Sequence, residues 1–250
     1  MDRRACLAGL VIGALATAAR AEDWGHFIGN FDVRMNDDGR KMTLLAPYEY
    51  DDAALRAWPV EKGWVVDGAS IPQAFWSIIG GPLEGKYRNA SAIHDYYCDK
   101  RTRTWQDVHH MFYAAMRAKG VDVVQAKIMF AAVWFKGPRW QQVAALCSSD
   151  KAELFLGLMQ RFADTPGSKA FFDGLAAEFG RACPSQHTST VTLADVEEMK
   201  WLAEKIRATN PPIEQIEQLV RVADMRAREL EEKTPSLRER AVVEPVVIGD

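Results

Sequence analysis

Residues 87–119, with the sequence YRNASAIHDYYCDKRTRTWQDVHHMFYAAMRAK, decide the fold of this chain. Apolar side chains recur at helical spacing over 87–98 and again over 104–119, and a charged stretch over 99–103 separates the two runs. A connection this short between two helices favours antiparallel packing. The segment therefore predicts an antiparallel helical hairpin, with Thr104 as the N-cap of its second helix.

Two histidines of this hairpin are expected to lie at the same height. Residues equidistant from the turn of an antiparallel pair lie side by side, and His94 and His109 are equidistant from residues 101–102. Each histidine also belongs to the apolar stripe of its helix, because apolar residues recur three and four positions away. His110 is rotated about 100° from His109 and should face elsewhere. We therefore expect the rings of His94 and His109 to meet, with the carboxyl group of Asp95 beside one of them.

Two facing imidazoles with a neighbouring carboxylate are compatible with three kinds of site. They can bind a metal ion, with Asp95 or Asp67 as further ligands and a water at an open position. They can serve as a general base and its orienting partner in hydrolysis, with Asp95 binding a cation. They can also be buried polar groups that bond each other and the backbone. The residues alone leave all three open, so the catalytic candidates are His94, Asp95 and His109, and the metal-ligand candidates are these three with Asp67.

Upstream of the hairpin, the sequence predicts a small antiparallel sheet. Residues 31–35 and 42–45 flank the segment Asn36-Asp-Asp-Gly39, which is typical of two strands joined by a tight turn. Residues 64–66 form a third short apolar run. Ser70 then predicts the cap of a helix that ends at Ile79.

Downstream of the hairpin, the sequence predicts mainly helices. One is expected near 121–135 and two shorter ones at 151–162 and 169–180. Two amphipathic helices follow within 191–250, separated by Asn210-Pro-Pro212. These helices are expected either to dock on the rest of the chain or to form a dimeric coiled coil, and three acid-before-base pairs are expected on their exposed face: Glu217 with Arg221, Asp224 with Arg228, and Glu229 with Lys233.

The composition is that of an ordinary water-soluble globular protein. The 250 residues are 48% hydrophobic and 26% charged, which excludes a disordered chain, a collagen and a membrane-spanning bundle. The formal net charge is -3, so the chain has no cationic surplus that would favour phosphate backbones. Nucleic acid is therefore not an expected partner.

Residues 1–21 predict a cleaved secretion signal. Arg3 and Arg4 precede an apolar run over 5–19, and Ala19-Arg-Ala21 has small residues where a signal peptidase cuts. The run is shorter than the roughly 20 residues that cross a bilayer, so we expect a mature chain without a transmembrane anchor. An uncleaved anchor is the alternative. The arginine pair is also compatible with twin-arginine export. We therefore expect a periplasmic or secreted protein after cleavage near Ala21.

Cleavage would remove Cys6 and leave Cys98, Cys147 and Cys183. An oxidising compartment favours one disulfide and one spare thiol. We predict a bridge from Cys147 to Cys183, which closes a loop of about 36 residues and would stabilise the fold by about 4 kcal/mol. Three unpaired cysteines are the alternative.

Three motifs occur in a fixed order: VVDGASIP over 65–72, IHDYY over 93–97 and VHHMFYAAM over 108–116. They resemble an uncharacterised family of bacterial and phage domains whose pattern is D-G-A-S-[IV]-P, then [IV]-H-D, then A-D-x-x-F on the next helix. The resemblance covers roughly residues 24 to 140 and implies one fold unit, without a known reaction. His109 departs from the pattern, because the family has an aspartate there.

A more remote likeness concerns the His94 and Asp95 pair. Its place on a helix that faces a polar residue of an antiparallel helix, after a glycine-containing loop over 80–85, is similar to secreted phospholipases A2. That likeness implies that His94 activates a water, that Asp95 binds calcium and that His109 replaces the acid that orients the base. A histidine at position 109 favours a softer divalent ion, zinc, over calcium.

We therefore expect an α+β protein in which a small antiparallel sheet precedes a helical hairpin and a mostly helical C-terminal half. An α+β domain would span 22–140, a helical continuation 141–184 and a helical extension 191–250. The expected function is an exported, metal-assisted hydrolase of a cell-envelope ester or amide. The competing hypothesis is a non-catalytic envelope binding or structural module, in which the His-Asp motif only fixes the hairpin and the C-terminal helices contact a protein partner.

Overall fold

The computed structural model of the protein describes residues 22–39, 41–68, 70–80, 85–140 and 190–241. The predicted signal at 1–21, the predicted helices at 151–162 and 169–180, and the predicted bridge between Cys147 and Cys183 lie outside these residues. Among the described helices, none combines the length and the apolar composition that crossing a membrane requires.

The N-terminal part forms two three-stranded antiparallel sheets rather than one. The first joins β1, β4 and β5 in that order, and the second joins β2, β3 and β6. The strand bounds are β1 His26–Ile28, β2 Val33–Met35, β3 Met42–Leu44, β4 Tyr48–Asp51, β5 Ala57–Val60 and β6 Val65–Val66. The predicted hairpin is confirmed, because Val33 pairs with Leu44 and Met35 with Met42 across the turn.

The sheet of β1, β4 and β5 was not predicted from the sequence. Its strands are three or four residues long, and β5 contains Pro59, which cannot donate a hydrogen bond to a neighbouring strand. Burial nevertheless alternates along β5, with Trp58 and Val60 in the core. Trp58 packs edge-on against Tyr97 of the helical hairpin, with ring centroids 4.9 Å apart. Aromatic packing across elements therefore holds this sheet in place.

The helices form an antiparallel hairpin followed by a buried central helix and two C-terminal helices. Their bounds are α1 Trp76–Ile79, α2 Arg88–Lys100, α3 Trp105–Ala118, α4 Val123–Lys136, α5 Leu193–Thr209 and α6 Ile213–Lys233, with short 3-10 turns at Gln73–Phe75, Gly85–Tyr87 and Pro235–Arg238. The predicted hairpin is α2 and α3. Arg101 ends α2 in the left-handed region, and the Thr104 hydroxyl accepts a hydrogen bond from the Asp107 amide at 3.1 Å. The predicted cap is therefore confirmed.

The prediction that Ser70 caps a helix is wrong. The short helical segment starts at Gln73, and neither it nor α1 has a side-chain cap. Ser70 instead has a φ of 53°, a left-handed conformation that costs an L-residue roughly 1–2 kcal/mol. Its hydroxyl is used elsewhere, in the site described below.

The two C-terminal helices dock on α4, as one of the two alternatives for them predicts. Ten consecutive residues of α4, from Ala126 to Phe135, are buried, and α5 and α6 contribute apolar residues to the same core. At the end of α4, the Lys136 ammonium lies 2.9 Å from the Asp195 carboxylate of α5 and 3.3 Å from that of Asp224 in α6. This ion pair network fixes the three helices at one end.

Only one of the three predicted acid-before-base pairs is seen among the ion pairs of these helices. Glu229 and Lys233 lie 2.6 Å apart. Glu217 instead approaches a histidine of α3, and Asp224 turns to Lys136 of α4. These two pairs were predicted wrongly, because the spacing along one helix contains no information about partners on other helices.

We predict that Thr104→Ala destabilises the protein by about 1 kcal/mol, because the first turn of α3 loses the acceptor for the Asp107 amide. Thermal unfolding should show a fall in Tm of about 3 °C. The matched control is Thr102→Ala, since Thr102 is exposed and lies outside the helix. Equal effects of the two substitutions would contradict the capping role.

Candidate functional site

The imidazole rings of His94 and His109 meet between α2 and α3, as the hairpin geometry predicts. Nε2 of His94 lies 2.9 Å from Nδ1 of His109, and the ring centroids are 5.0 Å apart. Both side chains are fully buried. His110 faces away as expected: its side chain is 47% exposed and its Nε2 lies 3.0 Å from a carboxylate oxygen of Glu217.

A third potential ligand, Cys98, joins the two histidines. Its sulfur lies 3.6 Å from Nε2 and 3.7 Å from Nδ1 of His94, and one ligand atom from each of the three residues falls within 4.8 Å of the others. Cys98 is buried. Cys98 was not predicted as a ligand from the sequence. The signal was its position four residues after His94, which places both side chains on the same face of α2.

Two of the three ligand separations can be compared with those of a tetrahedral metal centre. Zinc bonds of about 2.0–2.1 Å to nitrogen and about 2.3 Å to sulfur imply ligand separations of about 3.3 Å between nitrogens and about 3.6 Å between nitrogen and sulfur. The separation between His94 and Cys98 already has this value, at 3.6 Å. The two nitrogens, at 2.9 Å, are at hydrogen-bond distance and would need to move apart by a few tenths of an ångström. The His94, Cys98 and His109 cluster could therefore hold a metal ion.

Electrostatics keep the His109 ring neutral, which is the form that binds a metal. Burial lowers the pKa of His109 well below its usual value, and the neighbouring His94, Arg139 and His110 act in the same direction. The backbone of Pro138 acts weakly in the opposite direction. Among the described residues, Nε2 of His109 has no hydrogen-bond partner of good geometry.

Cys98 is not arranged as a catalytic nucleophile. Burial, followed by the negative charge of Asp95, raises the pKa of the thiol well above its usual value. Its sulfur is also nearly equidistant from the two nitrogens of the His94 ring, so neither nitrogen is singled out as the base for the thiol. A bound cation is the factor that would favour the thiolate at this place.

Asp95 binds a loop rather than the cluster. One carboxylate oxygen accepts hydrogen bonds from the backbone amides of Asp67 at 3.1 Å and Gly68 at 3.0 Å, and the other accepts one from the Ser70 hydroxyl at 3.1 Å. These bonds offset the cost of the left-handed conformation of Ser70. The D-G-A-S and H-D motifs therefore meet through Asp95.

The four residues selected from the sequence thus fall into two groups. His94 and His109 meet in the cluster, where Cys98 joins them. Asp95 and Asp67 meet in the loop contact, and Asp67 takes part through its backbone while its side chain is exposed. Neither carboxylate belongs to the group of potential ligands found among the described residues.

A cleft runs beside this site. It has a volume of about 1280 Å³, and its lining includes Trp64, Trp76, Asp67, Ser70, Asp95 and Cys98. Of the cluster, Cys98 is the member that borders the cleft among the described residues. The sulfur side of the cluster is therefore the side closest to the cleft.

One family model, described as of unknown function, matches part of the chain. Residues 42–133 match the model of a family described as "Protein of unknown function (DUF1353)". This match confirms the resemblance to an uncharacterised domain family over the segment from β3 into α4, which includes His94, Asp95, Cys98 and His109.

Two curated relatives come from Sinorhizobium fredii (strain NBRC 101917 / NGR234). Uncharacterized protein y4jT is 45% identical over 143 residues, which is 56% of this chain and 43% of that protein. Uncharacterized protein y4iH is 37% identical over 138 residues, which is 53% of this chain and 58% of that protein. The matches thus span about half of each relative, and no solved structure matches.

We predict that, without metal, the free energy of unfolding falls as the pH drops below about 6.5, the usual pKa of an exposed histidine. The pKa of His109 is lowered in the folded state, so the unfolded chain binds the extra proton and the stability present at higher pH is lost, at up to about 1.4 kcal/mol per pH unit. Urea unfolding in a chelator, from pH 7.5 to 5.5, measures this slope.

His109→Gln should reduce that slope, because the residue that gains a proton on unfolding is gone. His26→Gln is the matched control, since it replaces an exposed imidazole in β1, outside the site. An identical slope in the wild type and His109→Gln would contradict the effect assigned to the buried ring.

Proposed function

We propose that this protein binds one zinc ion through Nε2 of His94, Sγ of Cys98 and Nδ1 of His109. The observation that carries the proposal is the convergence of three buried residues, each of which offers one ligand atom within 4.8 Å of the others. Three ligands of this kind from an antiparallel helical hairpin leave a fourth tetrahedral position for a water or a substrate.

The ligand types favour zinc over calcium. Calcium takes six to eight oxygen ligands, whereas the cluster offers two imidazole nitrogens and one sulfur. Zinc accepts nitrogen and thiolate ligands together and needs four of them at most in a tetrahedral site. The oxygens of Asp95 are already engaged by the loop over 67–70, which further weakens the case for calcium.

We further propose that the zinc centre serves hydrolysis of an ester or amide. Held by His94, Cys98 and His109, zinc would supply a water of lowered pKa as the nucleophile for a carbonyl carbon, and hydrolysis would yield an acid and an alcohol or amine. The position of Cys98 at the cleft supports this proposal, because a substrate in the cleft would lie on the sulfur side of the centre. With export directed by residues 1–21, the substrate would belong to the cell envelope.

A specific observation also favours a non-catalytic function. Both imidazoles are fully buried and already bond each other at 2.9 Å, which satisfies one nitrogen of each ring without a metal. In that case the H-D motif fixes the hairpin, and the cleft or the C-terminal helices would serve binding. Metal loading and hydrolysis separate the two functions.

We predict that the purified protein binds Co²⁺ as a zinc substitute at one ion per chain. A thiolate ligand should give a charge-transfer band in the near ultraviolet, and four-coordinate Co²⁺ should give intense visible bands that zinc abolishes. His94→Ala, Cys98→Ala and His109→Ala should each lose these bands, because each removes a ligand atom.

The matched control for the cobalt experiment is His110→Ala. It removes the neighbouring imidazole, which is half-exposed and bonds Glu217 outside the cluster. Bands that survive Cys98→Ala but disappear in His110→Ala would contradict the proposed ligand set.

We predict that the zinc-loaded protein hydrolyses chromogenic ester or anilide probes and that removal of zinc by a chelator abolishes this activity. Zinc should restore the activity of the wild type but not that of Cys98→Ala, which should lose at least about 100-fold because it lacks the nucleophile that zinc provides. A fully loaded protein without activity on either class of probe would favour the non-catalytic function.

A further inference from the structure

We propose that Asp95 makes the site selective for divalent over monovalent metal ions, by placing a buried negative charge beside a centre that carries one net positive charge when it holds zinc. This inference rests on the proposed metal site and adds a residue that determines its specificity. It assigns Asp95 a role outside the coordination sphere.

Asp95 and Cys98 are neighbours on α2. Asp95 precedes Cys98 by three residues on α2, a spacing that makes side chains neighbours on a helix surface. The two residues border the same cleft, together with Ser70. The Ser70 hydroxyl bonds the Asp95 carboxylate at 3.1 Å and also interacts with the Cys98 side chain. The carboxylate and the sulfur are therefore linked through one hydroxyl.

The carboxylate of Asp95 is buried. Asp95 is 6% exposed, and both of its oxygens accept hydrogen bonds from three donors, so the carboxylate is fixed in place. Water screens a buried charge much less than an exposed one. The charge thus acts on the cluster at a constant distance.

The loaded site carries a net charge. Zinc, one thiolate and two neutral imidazoles sum to one positive charge, which is costly in a buried place unless an anion lies nearby. A monovalent soft ion such as Ag⁺ with the same three ligands is neutral. The charge of Asp95 therefore stabilises the divalent centre and has little effect on the monovalent one.

Other charged groups near Cys98 are less suited to this task. Asp67 has a weaker electrostatic effect on Cys98 than Asp95, and its side chain is exposed. Arg101 carries the opposite sign. Within the described part of the chain, Asp95 is thus the one charged group acting on Cys98 that is both negative and buried.

The test compares the affinities for Zn²⁺ and Ag⁺ of the full-length wild type and Asp95→Asn by competition titration. For each metal ion, binding at the proposed site is taken as the difference between a protein with Cys98 and the same protein with Cys98→Ala. Side chains three residues apart on a helix have Cβ atoms about 5–6 Å apart. At an effective dielectric constant of about 20, two unit charges within about 12 Å change an equilibrium by at least about 10-fold, so Zn²⁺ should bind at least about 10-fold more weakly to Asp95→Asn. Ag⁺ should change by less than about 3-fold, because its centre is neutral.

The asparagine is compatible with the loop. Its amide oxygen can accept from the Asp67 and Gly68 amides, and its NH₂ group can donate to the Ser70 hydroxyl oxygen. Asp95→Ser provides a second neutral variant in case the first does not fold. Asp67→Asn makes the same chemical change at an exposed position and should leave the Zn²⁺ to Ag⁺ affinity ratio unchanged.

The outcomes separate this inference from the metal proposal on which it rests. A ratio that falls in both neutral variants at position 95 and is kept in Asp67→Asn supports the role of Asp95. Equal weakening of both metals, or no change in either, would overturn it while leaving the zinc site in place. A wild type that binds no Zn²⁺ through Cys98 would overturn the proposed zinc site itself.

Discussion

The contact between Nε2 of His94 and Nδ1 of His109 is the interaction on which the architecture around the site depends. Two fully buried imidazoles must find polar partners, and at 2.9 Å each ring provides one for the other. This requirement allows little change in the register between α2 and α3, because a shift of one residue would turn one ring about 100° away. Cys98 reaches the same point because it lies one helical turn after His94.

The H-D motif divides two tasks between adjacent residues of α2. His94 points into the helical hairpin, and Asp95 points to the loop between β6 and the short helical segment, where its carboxylate accepts three hydrogen bonds. This division explains why the D-G-A-S and H-D motifs occur together without assuming a reaction. It also explains how a loop with a left-handed Ser70 stays in place beside a cleft.

The local pattern of the sequence was sufficient for the helical hairpin, the cap at Thr104 and the meeting of the two rings, because these depend on helical periodicity alone. The local pattern failed where a residue distant in the sequence determines the contact. Ser70 was predicted to cap a helix, but its hydroxyl donates to the Asp95 carboxylate. Asp224 was predicted to pair with Arg228, but its carboxylate lies beside Lys136 of another helix. The strand β5, which contains Pro59, was not predicted, because it is stabilised by the packing of Trp58 on Tyr97 of α2. Cys98 was overlooked as a ligand, although its position four residues after His94 places both side chains on one face of α2.

The central claim is that one zinc ion is bound by two imidazoles and one thiolate of the helical hairpin. X-ray absorption at the zinc edge of the loaded protein tests it most directly. The account predicts two nitrogen scatterers at about 2.0–2.1 Å from imidazole rings and one sulfur at about 2.3 Å, with the sulfur absent in Cys98→Ser. A zinc shell of oxygen and nitrogen without sulfur in the wild type would contradict it.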